Sequence, residues 1–260
     1  MYRPLAVRSG MLQSDWETIP EITCSGQLGA LIALDRIGSR LHFSRDEEVY
    51  AQGDSDGAWY KVVSGVVRIS KLRADGRRHI ASFAFGGDAF GLESAGERAF
   101  SAEAIGEVTL MRYPWAATKR LTEENPAVAR YLCEMAQKSL AAVQNRLILL
   151  GRMTAQERVA SFLLELFERD DAEHIDVAMS RCDIGDYLGL TTETVCRILS
   201  DLKRRGIIAV RTHAIDLTDR PSLEAIGEDR ENKEVRARGF AAASKTELAR
   251  TGTPALPQPL

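Results

Sequence analysis

Hydrophobic and polar residues alternate over short distances between Arg40 and Pro114. Alternating or β-branched segments recur there at intervals of roughly ten residues, and clusters of glycine, aspartate and serine separate them. The segments cover 41–43, 47–51, 59–63, 66–72, 79–85, 100–104 and 108–113. This spacing predicts a β-sandwich or a small β-barrel. Ahead of it, residues 26–37 are compatible with one short helix, whereas residues 1–25 lack periodicity and are expected to be flexible.

At Asn125-Pro126 the pattern becomes that of a long helix, since proline is tolerated in a first turn. Apolar or small residues then recur at alternating steps of four and three residues. They are Ala129, Cys133, Ala136, Leu140, Val143, Leu147 and Leu150. A period of about 3.5 residues is typical of a coiled-coil seam, so we predict a dimerisation helix over 125–151. The alternative is packing on the chain's own β-domain, because so short a stretch separates periods of 3.5 and 3.6 poorly.

Further along, the sequence predicts two closely spaced short helices. Ser180 and Asp183 have the spacing of a capping box and would begin a helix that ends at Gly189. Thr191 would cap a second helix, which Gly206 stops. Two helices joined by so short a glycine turn predict a helix-turn-helix. An amphipathic helix over 154–169 precedes it, and residues 207–210 and 213–217 predict a β-hairpin wing.

The exposed side of the second helix carries the candidate chemistry. We expect its first turns to present four side chains to the major groove of DNA. These are Thr192, Glu193, Cys196 and Arg197. Arginine binds guanine O6 and N7 together, and glutamate accepts a hydrogen bond from cytosine N4; a glutamate four residues before the arginine can also brace it. Basic residues follow where phosphates would lie, with Asp201 the one acid among them. The expected phosphate contacts are Lys203, Arg204 and Arg211.

Each of these features has an ordinary structural explanation when taken alone. A Glu-x-x-x-Arg pair is usually a solvated ion pair, and a basic run at a helix end usually complements the helix dipole. Double-stranded DNA is favoured as the partner because all of these features occur together and in order. They are two helix caps, a glycine turn, a Glu/Arg face, a basic helix end and a wing.

Length and composition limit the other classes of protein to which the chain could belong. The chain has 260 residues, 45% of them hydrophobic, and a formal net charge of −3, so about two domains are expected and any nucleic-acid surface must be local. No apolar stretch approaches the ~20 residues of a membrane helix, and no secretory signal is visible. Because no two cysteines are closely spaced, we expect a cytoplasmic protein in a reduced compartment, without a membrane partner.

Sequence motifs of enzymes and metal centres are absent. There is no P-loop, dinucleotide-binding fingerprint or nucleophile elbow, and the histidines are scattered. We therefore expect neither an enzyme nor a metal site. Two rival classes stay open: a metal-dependent β-barrel enzyme with an appended DNA module, and a regulator whose winged helix contacts protein rather than DNA.

The segment DIGDYLGLTTETVCRILSDLKRRGII, from Asp183 to Ile208, strongly resembles the helix-turn-helix of the Crp/Fnr family of transcription regulators. VVSGVVRISK at 62–71 and GDAFG at 87–91 resemble that family's cyclic-nucleotide-binding-like β-roll. The resemblance implies an α+β fold with an N-terminal β-roll, a long dimerisation helix and a C-terminal winged helix-turn-helix. The expected divisions are a flexible 1–25, a β-roll at 26–124, a helix at 125–151, a DNA-binding domain at 152–226 and a disordered tail at 227–260.

The same resemblance implies a homodimer that binds a palindromic site and contacts RNA polymerase. The Fnr/FixK-like branch is the most similar, and it is tied to oxygen, redox or nitrogen-oxide responses. Glu193 and Arg197 match the family's base-contacting Glu and Arg. Thr192 stands where the cyclic-AMP receptor branch has an arginine, which implies a TTGA-like half-site. The alternative is a cyclic-nucleotide-gated regulator of the Crp type.

Departures from the family pattern bear on the cofactor. Leu92 follows Gly91 where the cyclic-AMP branch has a glutamate, and Phe100 precedes Ser101 where that branch has an arginine. We therefore expect no cyclic-nucleotide binding. Arg98 is close in sequence and is the alternative source of the missing positive charge.

The resemblance implies that oxygen-sensing members of the family hold an iron–sulfur cluster with three cysteines near the N-terminus and one in the β-roll. Four thiolates are needed, but this chain has only Cys24 near its N-terminus and Met111 at the corresponding β-roll position. No cluster is expected. A haem held by a histidine such as His79 is not excluded, although no motif supports it.

Two cysteines are candidate redox thiols. Cys182 would lie in the first turn of a helix beside Arg181, where the thiolate is favoured, and Cys196 lies on the expected DNA face. Oxidation of either would place bulk or charge near phosphates. The alternative is that Cys182 is a buried apolar residue and Cys196 a small contact residue.

Overall fold

The computed structural model describes residues 21–227, apart from 56, 75, 93–95, 171 and 213 and the side chains of 21–27. The predictions for 1–20 and 228–260 lie outside the described residues. The described chain forms two compact units. The first extends to Lys71 and resumes over Ser82–Ala142, and the second contains Leu72–Ala81 and continues from Val143.

Two four-stranded antiparallel sheets build the β-roll. Its strands are β1 (Ser39–Phe43), β2 (Glu48–Tyr50), β3 (Ala58–Ser64), β4 (Val67–Leu72), β5 (Arg78–Ala84), β6 (Ala89–Phe90), β7 (Ser101–Ala104) and β8 (Val108–Pro114). One sheet has the order β1-β8-β3-β6 and the other β2-β7-β4-β5. Every predicted strand is confirmed; β6 was not predicted, because two residues show no alternation.

Aromatic side chains fill the centre of this unit. Trp59 on β3 is fully buried and stacks on Tyr113 of β8, with ring centroids 4.2 Å apart. Its indole Nε1 donates a hydrogen bond to Thr118 Oγ1 at 3.1 Å, which satisfies the buried N–H. Ala30, Leu34 and Val128 from the flanking helices complete the cluster.

Three helices accompany the β-roll. They are α1 (Glu21–Asp35), α2 (Trp115–Glu124) and α3 (Pro126–Arg152). The long helix α3 is confirmed, whereas α1 begins five residues before the expected start, so the boundary placed at residue 25 falls inside a helix. Helix α2 was missed because it directly continues β8, with Pro114 as its N-cap, and no turn signal separates the two.

The second unit contains the winged helix-turn-helix. Its elements are α4 (Ala155–Asp170), β9 (His174–Asp176), α5 (Arg181–Leu188), α6 (Thr192–Arg204), β10 (Ile208–Val210), β11 (Ala214–Leu217) and α7 (Arg220–Gly227). The three strands pair in the order β10-β11-β9. The predicted hairpin wing is confirmed, and the unpredicted β9 extends it to a sheet; α7 was also not predicted. Helix α4 buries its predicted stripe, including Val159, Phe162 and Phe167.

The Arg158 side chain connects the ends of two helices in the second unit. Arg158 on α4 donates hydrogen bonds to the carbonyl oxygens of Leu150, Met153 and Leu188. Because the last carbonyls of a helix have no partner within it, these contacts satisfy the ends of α3 and α5.

The described part of the chain contains no helix long and apolar enough to span a membrane.

Candidate nucleic-acid interface

The turn between α5 and α6 is set by local backbone chemistry. The Ser180 hydroxyl accepts from the Asp183 amide at 3.0 Å and the Asp183 carboxylate accepts from the Ser180 amide at 3.1 Å, which confirms the predicted capping box. Gly189 ends α5 in the left-handed conformation at φ 66°, where a glycine carries no Cβ penalty. A Cβ at Gly185 would lie 2.8 Å from the Leu190 carbonyl oxygen, so the turn before α6 folds closely against α5 there.

Helix α6 separates buried and exposed residues cleanly. The Thr191 hydroxyl accepts from the Thr194 amide at 3.2 Å, which confirms the predicted cap. Buried side chains point toward the core of the unit: Val195, Ile198, Leu199 and Leu202. All four predicted DNA-facing residues, Thr192, Glu193, Cys196 and Arg197, are exposed, as are Ser200, Lys203 and Arg204. The helix therefore presents one continuous polar face over its first three turns.

Glu193 and Arg197 are not paired with each other. In the part of the chain that the structure describes, neither side chain makes an ion pair or a side-chain hydrogen bond, so the expected bracing of Arg197 by Glu193 is wrong in the free protein. Both charges are solvated and available to a ligand.

Several basic residues are partly neutralised within the unit. Arg204 is ion-paired with Asp201, and Arg205 Nη1 lies 3.6 Å from the same carboxylate. Arg211 Nε donates to Asp216 at 2.9 Å, and Asp216 also contacts His174. Asp216 is thus a second acid beside these basic residues, and it lowers their local positive excess. Such exposed pairs contribute only about 0–1 kcal/mol, so a phosphate can replace the carboxylate at small cost.

Asp216 is a site residue that sequence reasoning missed. It lies on β11 opposite His174 on β9, and strand pairing alone brings the two together. The hydrogen bond with His174, helped by Arg211, lowers the pKa of the Asp216 carboxyl below its usual value. No sequence signal pointed to this contact, because β9 is too short to show a pattern.

The cysteines differ in their surroundings. Cys133, Cys182 and Cys196 are all exposed, so the alternative of a buried Cys182 is wrong. The Cys182 sulfur lies 4.0 Å from an Asp186 carboxylate oxygen. Cys196 instead lines a small cavity together with Arg181 and Lys203.

In the β-roll, Arg98 and Ser101 make contacts within the chain at the positions that bear on cyclic-nucleotide binding. Arg98 is buried, donates to the carbonyl oxygens of Gly91 and Ala58, and lies over the ring of Tyr50 at 4.3 Å. The Ser101 hydroxyl accepts from the Gln52 amide at 2.9 Å. Among the described residues, no three His, Cys, Asp or Glu side chains cluster as a metal site.

Two protein-family models match the chain. One, described as a Crp-like helix-turn-helix domain, matches residues 157–226. The other, described as a cyclic nucleotide-binding domain, matches residues 40–125. The exposed face of α6 therefore lies inside the helix-turn-helix match.

Similar curated proteins are regulators. The nitrogen fixation regulation protein FixK of Bradyrhizobium diazoefficiens is 39% identical over 224 residues, covering 84% of this chain and 94% of that protein. FixK of Azorhizobium caulinodans is 42% identical over 197 residues, covering 73% and 79%. The transcriptional activator protein anr of Pseudomonas aeruginosa is 29% identical over 202 residues, covering 75% and 83%.

A solved structure is similar along most of its length. FixK2 from Bradyrhizobium japonicum has a TM-score of 0.71 and 39% identity, covering 74% of this chain and 98% of that chain. The described fold is thus one already observed for a protein of that name, with both units present.

Proposed function

Since this chain belongs to the Crp/Fnr family of transcription regulators, in its FixK branch, we propose that two copies bind a palindromic DNA site with TTGA-like half-sites. Its relatives are regulators rather than enzymes, and the predicted fold class is confirmed. The base-contacting residues, the homodimer, the signal and the polymerase contact are our proposals.

The polar face of α6 supports the base contacts. Arg197 would donate to guanine O6 and N7, and Glu193 would accept from cytosine N4. Both side chains are exposed and unpaired within the described chain, and both lie in the first turns, the part of a recognition helix that reaches base edges. Lys203, Arg204 and Arg211 would contact phosphates, the latter two after exchanging a carboxylate for a phosphate.

The seam of α3 supports the homodimer. The opposite face of α3 packs on the β-roll core through Val128, Tyr131 and Met135. The alternative that the seam residues themselves pack on the β-domain is therefore not supported. Six of the seven seam residues are exposed in the single chain, and the largest of them are 56–68% exposed: Leu140, Val143 and Leu147. An exposed apolar stripe with a period of about 3.5 residues fits a second copy of the same helix.

Two-fold pairing of the chains supports a palindromic target. Two recognition helices related by a dyad meet successive major grooves about 34–36 Å apart, so the half-sites must be spaced by one helical turn. The observation that carries the proposal is the pair Glu193 and Arg197, solvated on the first turns of a capped helix.

The names of the relatives support the wider role. Regulation of nitrogen fixation and transcriptional activation are stated for them, so we propose a response to oxygen, redox state or nitrogen oxides that activates transcription through RNA polymerase. A regulator that binds the chromosome acts in the cytoplasm.

Binding of the full chain to short duplexes tests the proposal. We expect a duplex with two inverted TTGA half-sites to bind at least ~10³-fold more tightly than a scrambled duplex of equal composition. Adding half a helical turn between the half-sites should remove most of that preference. Equal affinity for all three duplexes would contradict the proposal.

A further inference from the structure

The tip of the hairpin formed by β4 and β5 belongs to the second unit, although the rest of both strands belongs to the first. This hairpin tip consists of residues 72–81. The Arg73 amide donates to the Arg77 carbonyl oxygen at 3.0 Å and closes the turn, with Gly76 at a φ of 80°. The two strands therefore connect the β-roll sheet covalently with the unit that contains the helix-turn-helix.

One arginine of the hairpin tip binds two carboxylates of α5. Arg78 Nη2 donates to Asp183 at 2.7 Å and to Asp186 at 2.9 Å, and Arg78 Nε donates to Asp186 at 3.0 Å. The Asp183 side chain is only 5% exposed, whereas Arg78 and Asp186 are 30% and 28% exposed. Charge-assisted contacts of this kind are stronger than neutral hydrogen bonds, and salt screens them less when they are partly buried.

A second guanidinium joins the same tip to the same helix. Arg146 Nη2, on α3, donates to the carbonyl oxygen of Ile80 at 3.2 Å and also to that of Tyr187 on α5. The Arg146 guanidinium carbon lies 3.6 Å from the centroid of the Tyr187 ring, which is a cation–π distance. The hairpin tip is therefore fixed to α5 at two places, once through the Arg78 side chain and once through its own backbone.

The charge of α5 bears on DNA binding. In a helix-turn-helix, the first helix crosses the DNA backbone while the second enters the major groove. Helix α5 carries one arginine and two aspartates, a net charge of −1, and Arg78 brings the local charge to zero. Without Arg78, Asp183 and Asp186 would carry uncompensated negative charge on the helix that faces the phosphates, and like charges at an interface oppose binding.

We propose that Arg78 is a positioning residue for DNA binding, which neutralises the carboxylates of α5 and holds the helix-turn-helix in place as long as the hairpin tip is docked. The proposal rests on the proposed function, because DNA affinity is its consequence. Since the hairpin tip continues β4 and β5, a displacement of these strands changes DNA affinity without any contact between the strands and DNA. The β-roll thereby has a route by which it regulates the second unit.

A double-mutant cycle on DNA binding tests the electrostatic part. Full chains with Arg78→Gln, Asp186→Asn or both are titrated with the TTGA-like duplex. Arg73→Gln is the matched control, because it removes the same charge from an exposed position of the same hairpin tip. We expect Arg78→Gln to weaken binding about tenfold and Arg73→Gln less than about twofold. Asp186→Asn should strengthen binding about fivefold in the Arg78→Gln chain but less than about twofold in the wild type, because only the former leaves this carboxylate uncompensated.

Hydrogen exchange reports docking of the hairpin tip without relying on affinity. Amide exchange of peptides from 72–81 and from α5 is followed by mass spectrometry in the full chain. Without DNA, we expect exchange at least about threefold faster in Arg78→Gln than in the wild type and unchanged in Arg73→Gln. With the duplex, exchange over 72–81 should slow in the wild type, since coupling between two contacts is reciprocal. Asp186→Asn removes one partner of Arg78 and supplies the same comparison if Arg78→Gln does not fold.

The two measurements separate the outcomes. Faster exchange together with an affinity loss that Asp186→Asn reverses supports the proposal. Faster exchange in a chain whose wild type binds none of the duplexes supports the docked hairpin tip and contradicts the proposed function. An affinity loss that Asp186→Asn does not reverse overturns the inference, as do unchanged affinity and unchanged exchange in Arg78→Gln.

Discussion

Truncation of Leu147 is expected to weaken the dimer strongly. This side chain is 68% exposed on the α3 seam in the single chain. Full burial of a leucine side chain contributes about 1.5–3 kcal/mol, so covering the exposed part contributes ~1–2 kcal/mol. Each dimer loses this twice in Leu147→Ala, giving ~2–4 kcal/mol and a dissociation constant raised about 30-fold or more.

Sedimentation equilibrium of the full chain measures this change directly. Ile148→Ala is the matched control, because Ile148 is 52% exposed on the same helix but lies about 100° around it from Leu147. It should shift the dissociation constant less than about threefold. Circular dichroism checks that both variants keep their helix content. Equal effects of the two substitutions, or a wild-type chain that stays monomeric at micromolar concentration, would refute the seam.

Three further changes test other parts of the molecule. Asp183→Ala removes the carboxylate that accepts from the Ser180 amide in the α5 cap and lies 2.7 Å from Arg78 Nη2. Because Arg78 keeps its ion pair with Asp186, we expect the second unit to lose about 1–3 kcal/mol of stability in denaturant unfolding followed by far-UV dichroism. A loss below ~0.5 kcal/mol would show that this contact is unimportant. Peroxide should reduce binding to a TTGA-like duplex in the wild type but not in Cys196→Ser, and equal loss in both would exclude that thiol. Arg204→Ala should weaken specific and non-specific duplexes to the same degree; a change confined to one sequence would assign Arg204 to the bases.

Local backbone signals made most of the second unit predictable. The caps at Ser180 and Thr191 and the glycine at 189 act within three residues, so the sequence alone located both helices and the turn. The face of α6 followed from helical periodicity once its start was known. The strands of the β-roll were equally visible, because alternation and turn residues are local.

Contacts between distant segments were not predictable. Asp216 meets His174 only because β11 pairs with the three-residue β9, and this contact, with Arg211, changes the charge of the wing. The cavity beside α6 depends on Arg181, which precedes that helix by a whole helix and a turn. The Arg181 Nη1 nitrogen is buried by packing between segments, which residue spacing in the sequence does not predict.

Selection of bound duplexes from a randomised pool tests the central claim most directly. The wild type, Arg197→Ala and the distant control Arg220→Ala are compared, and base preferences are read position by position. The account predicts that Arg197→Ala loses preference at one guanine in each half-site, with a cost of about 1–3 kcal/mol there, while the control keeps the wild-type pattern. Unchanged discrimination at every position in Arg197→Ala would contradict it.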